Sequence, residues 1–491
     1  MHRFVWEKCP NMKHNSLILS IAIIVHIICA WNSTAYIHPD EHFQLLEFAN
    51  YKLGHTNSGN LAWEFDAKMR PGIQPFIAFV VIKVSSLFDI NNPNQVSFFL
   101  RLLSAMIAFF VSLHLLKSIT QKSITQLQNV NLYLSLLCWS LVFLHVRFSS
   151  ENWSAMFFTL AVSFVIRNHK HRYFLFGVFS AISVIFRFQA IFFVAGSGLW
   201  FLFIDRSNFK SLINCFLGFL LFFIVGMFFD HWLYREWVST FWNYLYQNMF
   251  MGKAASFGVE PWYWYFKQIF EQAIPPYSIV LLLGFFGLLY KQPKNIITWS
   301  SFMFLIGHLL VGHKELRFLF PLSYFVPFVI LTGIGFVQGI STSILYQNVL
   351  NFFGKAFFII NPILILVICI KPANEIGAVF SHLSSIKNEK TLLYKEKNPY
   401  RLTPQEASFY VNDKLNIMQV DSFVVQSNTS SSDTVLFYSE DLNFQSNKEL
   451  QVVGIEWTNT PDWLRKLNFN NWLDRRNNYT LYLVIKNNNS N

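Results

Sequence analysis

The chain has 491 residues, 53% hydrophobic, 18% aromatic and only 13% charged, with a formal charge of +11. Soluble proteins hold about 25% charged residues, and no water-facing surface built from 27 Asp plus Glu and 38 Lys plus Arg could cover 56 Phe. Soluble enzymes, disordered chains and collagen-like chains are therefore excluded. The basic excess gathers in short loops between apolar blocks, which points to membrane topology rather than to nucleic acid.

In chain order, the first apolar block covers 16–31 and follows Arg3, Lys8 and Lys13. No small-x-small cleavage site follows it, so it reads as a signal-anchor helix with a cytosolic N-terminus. Further blocks run over 97–116, 130–145, 153–166, 173–186, 190–204, 211–229, 276–290, 296–311, 319–338 and 352–371, making eleven. Several are short for a bilayer, so tilted, broken or re-entrant helices are expected among them.

The stretch 73–88 decides the topology. If it spanned, Lys117 and Lys122 would fall outside; lying in the outer interface, it puts them inside. Arg167, Lys170, Arg172, Arg206, Lys210, Lys291 and Lys294 then also fall inside, as the positive-inside rule favours. On this reading the loop 32–72, the turn around Arg147–Asn152, the loop 230–275, the segment 312–318 and everything after about 372 face the non-cytosolic side.

The expected fold is an all-α polytopic membrane protein of about eleven transmembrane helices, residues 1–371, followed by a small α/β non-cytosolic domain, 372–491. That last part is polar and rich in Asn and Ser. It reads as strands at 434–438 and 480–485, a helix at 462–473, and Asn/Ser runs at 427–432 and 487–491. Asn428-Thr429-Ser430 and Asn478-Tyr479-Thr480 are acceptor patterns for N-glycosylation and so offer a probe of sidedness. Of Cys9, Cys29, Cys138, Cys215 and Cys369, none has metal-ligand spacing and four sit in apolar blocks, so disulfides are not expected.

Three clusters carry chemistry. The first is Ile37-His38-Pro39-Asp40-Glu41-His42-Phe43-Gln44. Its adjacent carboxylates could supply a general base for a sugar hydroxyl, although Pro39 and acidic residues also suit a helix's first turn. His38 and His42 invite a zinc reading, but Pro39 stands where a metalloprotease helix carries its Glu and no third ligand is obvious, so no metal is expected.

The second cluster is Trp63-Glu64-Phe65 with Arg70-Pro71, where Glu64 and Arg70 go beyond interfacial anchoring and could orient a polar ligand. The third is Gly312-His313-Lys314-Glu315-Leu316-Arg317-Phe318, wedged between apolar blocks. Ionisable groups at a membrane boundary default to a functional hypothesis, and Lys314 with Arg317 could clamp a phosphate. Arg187, between two apolar blocks, could join them. The loop 230–275, with Trp232, Trp237, Trp242, Trp262 and Trp264, reads equally as an aromatic belt or as a surface for sugar rings or a lipid carrier.

His-Pro-Asp-Glu-x-x-Gln, then Trp-Glu-Phe and Arg, then His-Lys-Glu-x-Arg-Phe together resemble the glycosyltransferase family 22 mannosyltransferases, over about residues 31–320. These include the glycosylphosphatidylinositol (GPI) and lipid-linked oligosaccharide mannosyltransferases. The resemblance implies a GT-C fold and inverting transfer of mannose from a polyprenyl (dolichyl) phosphate mannose to a glycan or glycolipid, without a cofactor. By that likeness Asp40 matches the catalytic acidic position and Glu41 its neighbour. Lys314 and Arg317 match the basic motif; contact of these two, and of Arg187 and His313 beside them, with the donor phosphate is read from their charge rather than from the likeness. His38, Gln44, Glu64 and Arg70 are left to hold or position the acceptor.

The family often shows Arg-x-x-Ser-Asn-x-x-Glu where this chain has Arg147-Phe148-Ser149-Ser150-Glu151-Asn152-Trp153, so Glu151 is displaced and is given no role. Residues 372–491 match nothing in the family pattern. The implied setting is the endoplasmic reticulum membrane for a eukaryotic chain, or the plasma membrane, with undecaprenyl phosphate, for a bacterial one. Two other classes stay open on residues alone. One is a lipid-linked glycan flippase, which would place charges near the bilayer midplane and often carry two related halves. The other is a non-catalytic membrane subunit.

Overall fold

The computed structural model describes residues 12–120, 128–273, 275–401, 404–420, 434–441, 444–445, 450–460, 465–466, 473 and 477–486. Among these, five helices are long and apolar enough to cross a bilayer: Asn15–Asn32, Pro93–Ile119, Phe209–Tyr234, Leu316–Gln338 and Ile344–Ile370. Five more apolar helices, Ile73–Leu87, Arg172–Phe186, Phe188–Phe203, Tyr277–Lys291 and Ile296–Leu310, are shorter. At 1.5 Å per residue they fall short of an apolar core about 30 Å thick. The eleven expected blocks thus appear as helices, but only five have a full span's length.

One block is broken. The apolar run 130–145 forms two helices, Gln128–Leu137 and Trp139–His145, parted at Cys138, whose backbone is extended. The break orphans backbone groups that lipid cannot satisfy. Asn361, in the helix Ile344–Ile370, takes them over: its Oδ1 accepts from Trp139 N at 2.9 Å and its Nδ2 donates to Leu137 O at 2.6 Å.

The chain divides into two compact units. The first comprises Met1–Trp31, Glu64–Ile77 and Leu100–Ile370; the second comprises Asn32–Trp63, Ala78–Phe99 and Lys371–Asn491. The core of the first is a run of stacked rings, with Phe158 4.3 Å from Phe193 and Phe193 3.8 Å from Phe304. Its helices also meet backbone to backbone. A Cβ on Gly284 would lie 2.1 Å from Val329 O, and one on Gly333 would lie 2.2 Å from Val280 O, so Tyr277–Lys291 and Val326–Gln338 are close because both residues lack a side chain.

The second unit holds a mixed sheet of β1 (Lys390–Tyr394), β2 (Leu415–Gln419), β3 (Val435–Ser439), β4 (Leu450–Thr458) and β5 (Thr480–Lys486), in the order β2-β1-β3-β5-β4. β1 runs parallel to both β2 and β3, and β5 runs antiparallel to β3 and β4. The strands expected at 434–438 and 480–485 are β3 and β5. The inner strand β1 buries adjacent Leu392 and Leu393, so it has no period-two pattern to announce it.

The helix expected at 462–473, the Asn/Ser runs and the acceptor pattern at Asn428 lie largely or wholly outside the described residues. At the other pattern, Asn478 Nδ2 donates to Leu473 O at 3.1 Å and Oδ1 accepts from Thr460 at 2.8 Å.

Candidate active site

The expected site residues divide between the units: His38, Asp40, Glu41 and Gln44 lie in the second, while Glu64, Arg70, Arg187, His313, Lys314 and Arg317 lie in the first. Each group has its own geometry.

In the second unit Pro39 leads into a single helical turn, Asp40–Phe43, with its acidic residues in that first turn, as the Pro-acidic pattern predicts. The carboxylates are locally engaged. Asp40 Oδ1 lies 3.3 Å from His38 Nδ1, and Glu41 Oε2 accepts from Ile37 N at 3.3 Å. Asp40 keeps about a quarter of its side chain open, whereas Gln44 is buried. His42 Nε2 lies 2.7 Å from Glu47 Oε1.

In the first unit Arg187 and Arg317 come together, around a carboxylate that the family motif leaves without a role. Glu151 stands in the first turn of the helix Ser150–Ile166, whose N-cap Ser149 accepts from Asn152 N. The turn leading to it is fixed by Asn152, which donates to His145 O and Arg147 O and accepts from Tyr324. From that position Glu151 Oε1 accepts from Arg187 Nη1 at 2.7 Å and from Arg317 Nη1 at 3.5 Å. Arg317 also holds Glu315 with two nitrogens, Nε at 2.6 Å and Nη2 at 3.1 Å, and Glu315 in turn meets His313 at 3.0 Å. Arg187–Glu151–Arg317–Glu315–His313 is thus a continuous alternating chain. The Phe318 ring lies 5.1 Å from the Arg187 guanidinium carbon and 5.3 Å from that of Arg317.

Lys314 takes another direction. It is buried, and its ammonium donates to Val311 O. Desolvation pulls its pKa below the ordinary lysine value, and Glu260 acts in the opposite sense. Glu260 belongs to a segment tied to the same turn, since its N donates to Gly312 O at 3.0 Å and His313 meets Gly258 O at 3.2 Å.

Arg70 and Glu64, expected to orient a polar ligand, pair with each other at 3.3 Å. Their segment is pinned to the end of the helix Phe209–Tyr234. Tyr234 donates to Arg70 O at 2.8 Å, and Asp230 accepts from Gly72 N at 2.8 Å and from Thr240 at 2.6 Å. In the aromatic loop Trp237, Trp242 and Trp262 are all more than half exposed.

Glu151, Asp230 and Asn152 went unassigned in the sequence. The signal for Glu151 was present: an ionisable group at the head of an apolar helix is seldom idle.

The Alg9-like mannosyltransferase family model matches residues 16–404. This chain belongs to that family. GPI mannosyltransferase 3 of Candida albicans is 28% identical over 325 residues, covering 66% of this chain and 64% of that one. GPI alpha-1,2-mannosyltransferase 3 of Danio rerio is 22% identical, over 63% of this chain and 58% of that one. The chain therefore spans about three fifths of these relatives' lengths. The alpha-1,2-mannosyltransferase ALG9 of Saccharomyces cerevisiae is 27% identical over 154 residues, 30% of this chain and 25% of that one. Among solved structures, ArnT from Cupriavidus metallidurans, bound to undecaprenyl phosphate, has the same fold, with a TM-score of 0.51 at 9% identity over 97% of this chain and 98% of that one.

Proposed function

We propose that this family member is a membrane mannosyltransferase that moves mannose, with inversion, from a polyprenyl phosphate mannose to a glycolipid of the GPI type. The observation that carries the reading is the family match together with the two charged turns, His38–Gln44 and His313–Phe318, within it. The GPI mannosyltransferases of Candida albicans and Danio rerio favour a GPI acceptor; both organisms being eukaryotic, we take the carrier as dolichyl and the setting as the endoplasmic reticulum membrane, and the positive-inside reading puts the chemistry on the non-cytosolic side.

Asp40 takes the role of base: its carboxylate removes the acceptor hydroxyl proton as the oxygen attacks the anomeric carbon and the lipid phosphate leaves. Glu41 supports that charge. Lys314 and Arg317, with Arg187 and His313 beside them, neutralise the departing phosphate. Arg317 rests between two carboxylates, and Glu315 is the more open of them, so the phosphate displaces Glu315 and leaves Glu151 in place. A phosphate monoester is itself a fair leaving group, so the step draws on no cofactor. His38, Gln44, Glu64 and Arg70 position the acceptor.

The experiment is mannose transfer by the purified full chain in sealed proteoliposomes, from synthetic dolichyl phosphate mannose to a GPI-type mannolipid. A mannosylated lipid is expected. Uptake or flipping of the lipid-linked sugar with no covalent product would overturn the reading.

A further inference from the structure

We propose that His42 and Glu47 are positioning residues that tie the Asp40–Glu41 turn to the segment 407–410, so that the C-terminal part of the chain sets the geometry of the acidic turn. The proposal rests on the reading of Asp40 as the base. It assigns a role to residues just beyond the family match, which ends at 404.

The turn Asp40–Phe43 is only four residues long and has no side-chain cap. A single turn does not hold itself in water, because nucleation fixes several dihedrals for few hydrogen bonds. Something must hold it from outside, and His42 is the side chain placed to do so. Both His42 and Glu47 are 1% exposed. Glu47 Oε1 meets His42 Nε2 at 2.7 Å and accepts from the backbone N of Phe409 at 2.9 Å. The imidazole is sandwiched between Tyr36, at 5.6 Å, and Tyr410, at 5.3 Å. Phe409 meets its edge at 6.3 Å.

The segment 407–410 is itself anchored. Tyr410 stacks on Phe380 of the helix Ile376–Ser384 at 4.6 Å, Phe380 stacks on Tyr400 at 5.6 Å, and Ala407 N donates to Tyr400 O at 2.7 Å. Ser408 adds a hydroxyl contact to Thr56 at 3.1 Å. A physical chain therefore runs from that helix through stacked rings to His42 and the turn two residues from Asp40.

Apolar residues could fill this volume with equal stability, since a buried polar or charged pair seldom outdoes its hydrophobic replacement. Glu47 Oε2 and His42 Nδ1 have no partner among the described residues, so the pair is not optimised for stability. Direction is what it supplies. One carboxylate oxygen fixes the imidazole and the Phe409 amide together, which a Leu at 47 could not do.

The test compares Glu47→Leu with Glu47→Gln in the full chain. Glu47→Leu removes both acceptor contacts, and a misplacement near 1 Å lowers kcat about 100-fold, with donor KM moving less than about threefold. Glu47→Gln keeps an acceptor oxygen for Phe409 and recovers kcat to within about tenfold of the parent. Hydrogen exchange gives an independent readout: in Glu47→Leu the amides of 41–45 lose protection while those of the helix Ile376–Ser384 keep theirs. Parent-like kcat and protection in Glu47→Leu overturn the proposal, as does loss of protection throughout both segments. If the parent transfers no mannose, the functional reading fails and exchange alone decides this one.

Discussion

Removing the Glu151 carboxylate tests the alternating charge chain most sharply, because its two cations are not equally provided for. Arg317 keeps Glu315 at 2.6 Å, whereas Arg187, 7% exposed, has Glu151 at 2.7 Å and an Nε without a partner among the described residues. A pair of unit charges about 4 Å apart interacts by about 4 kcal/mol at an effective dielectric of 20. Deleting one member of a buried pair costs about 3–5 kcal/mol, because the other charge stays buried. Glu151→Ala should lose that amount, most of it at Arg187. Glu151→Gln keeps an acceptor and should lose about 1–3 kcal/mol. The double variant Glu151→Leu/Arg187→Met should recover most of the loss, since an apolar pair of similar volume is often as stable as an ion pair. Thermal unfolding in one detergent, read as a double-mutant cycle, measures this. Zero coupling between positions 151 and 187, or Glu151→Ala within about 0.5 kcal/mol of the parent, would refute the reasoning.

Glu315→Gln should lower the donor KM, since the carboxylate that competes with the phosphate for Arg317 is neutralised; a raised KM counts against displacement of Glu315. Asn361→Leu should destabilise the fold by about 2–4 kcal/mol, because the break loses its two backbone partners at Leu137 and Trp139 and the Tyr133 hydroxyl loses a third bond, inside an apolar layer, and a thermal shift assay reads it. Gly284→Leu should separate two helices, since a Cβ added there would fall 2.1 Å from Val329 O, whereas Gly335→Leu, where a Cβ meets nothing within 4 Å, should be tolerated; equal thermal stability of the two variants would contradict the packing. His382 stacks on Trp457 at 5.5 Å, and desolvation lowers its pKa below 6.5. The unfolded chain therefore binds the extra proton first. Stability contributed here is present above pH 6.5 and falls as pH drops from there toward the folded pKa, and His382→Phe should flatten that slope in pH-dependent unfolding.

Much of the fold was legible because lipid demands long apolar runs, and the helices Phe209–Tyr234 and Ile296–Leu310 begin and end within a few residues of their expected blocks. The break at Cys138 was not legible, since Leu137-Cys138-Trp139 looks like any other apolar run and its stabilising partner, Asn361, lies 222 residues away from Trp139. Strand β1 was hidden for a related reason: covered on both faces, it lost the alternation by which strands are recognised.

The candidate site was half legible. Arg317 and Lys314 stood out as charges in an apolar setting, but only geometry shows that Arg317 is held by two carboxylates while Lys314 turns to a carbonyl. Glu151 was passed over because it was weighed against a motif spacing, when its position at the head of a buried helix was the stronger physical signal. His42 was weighed as a metal ligand, and its true partner, five residues on, belongs to a hydrogen bond that also recruits residue 409.

The central claim is that Asp40 removes the acceptor proton during mannose transfer. It is tested most directly by single-turnover transfer from dolichyl phosphate mannose to a GPI-type mannolipid, comparing the full chain with Asp40→Asn and Glu41→Gln under saturating donor. The account predicts that Asp40→Asn lowers the rate by about 10²–10⁴-fold, with donor binding retained and a smaller loss in Glu41→Gln. Near-full turnover in Asp40→Asn would contradict it.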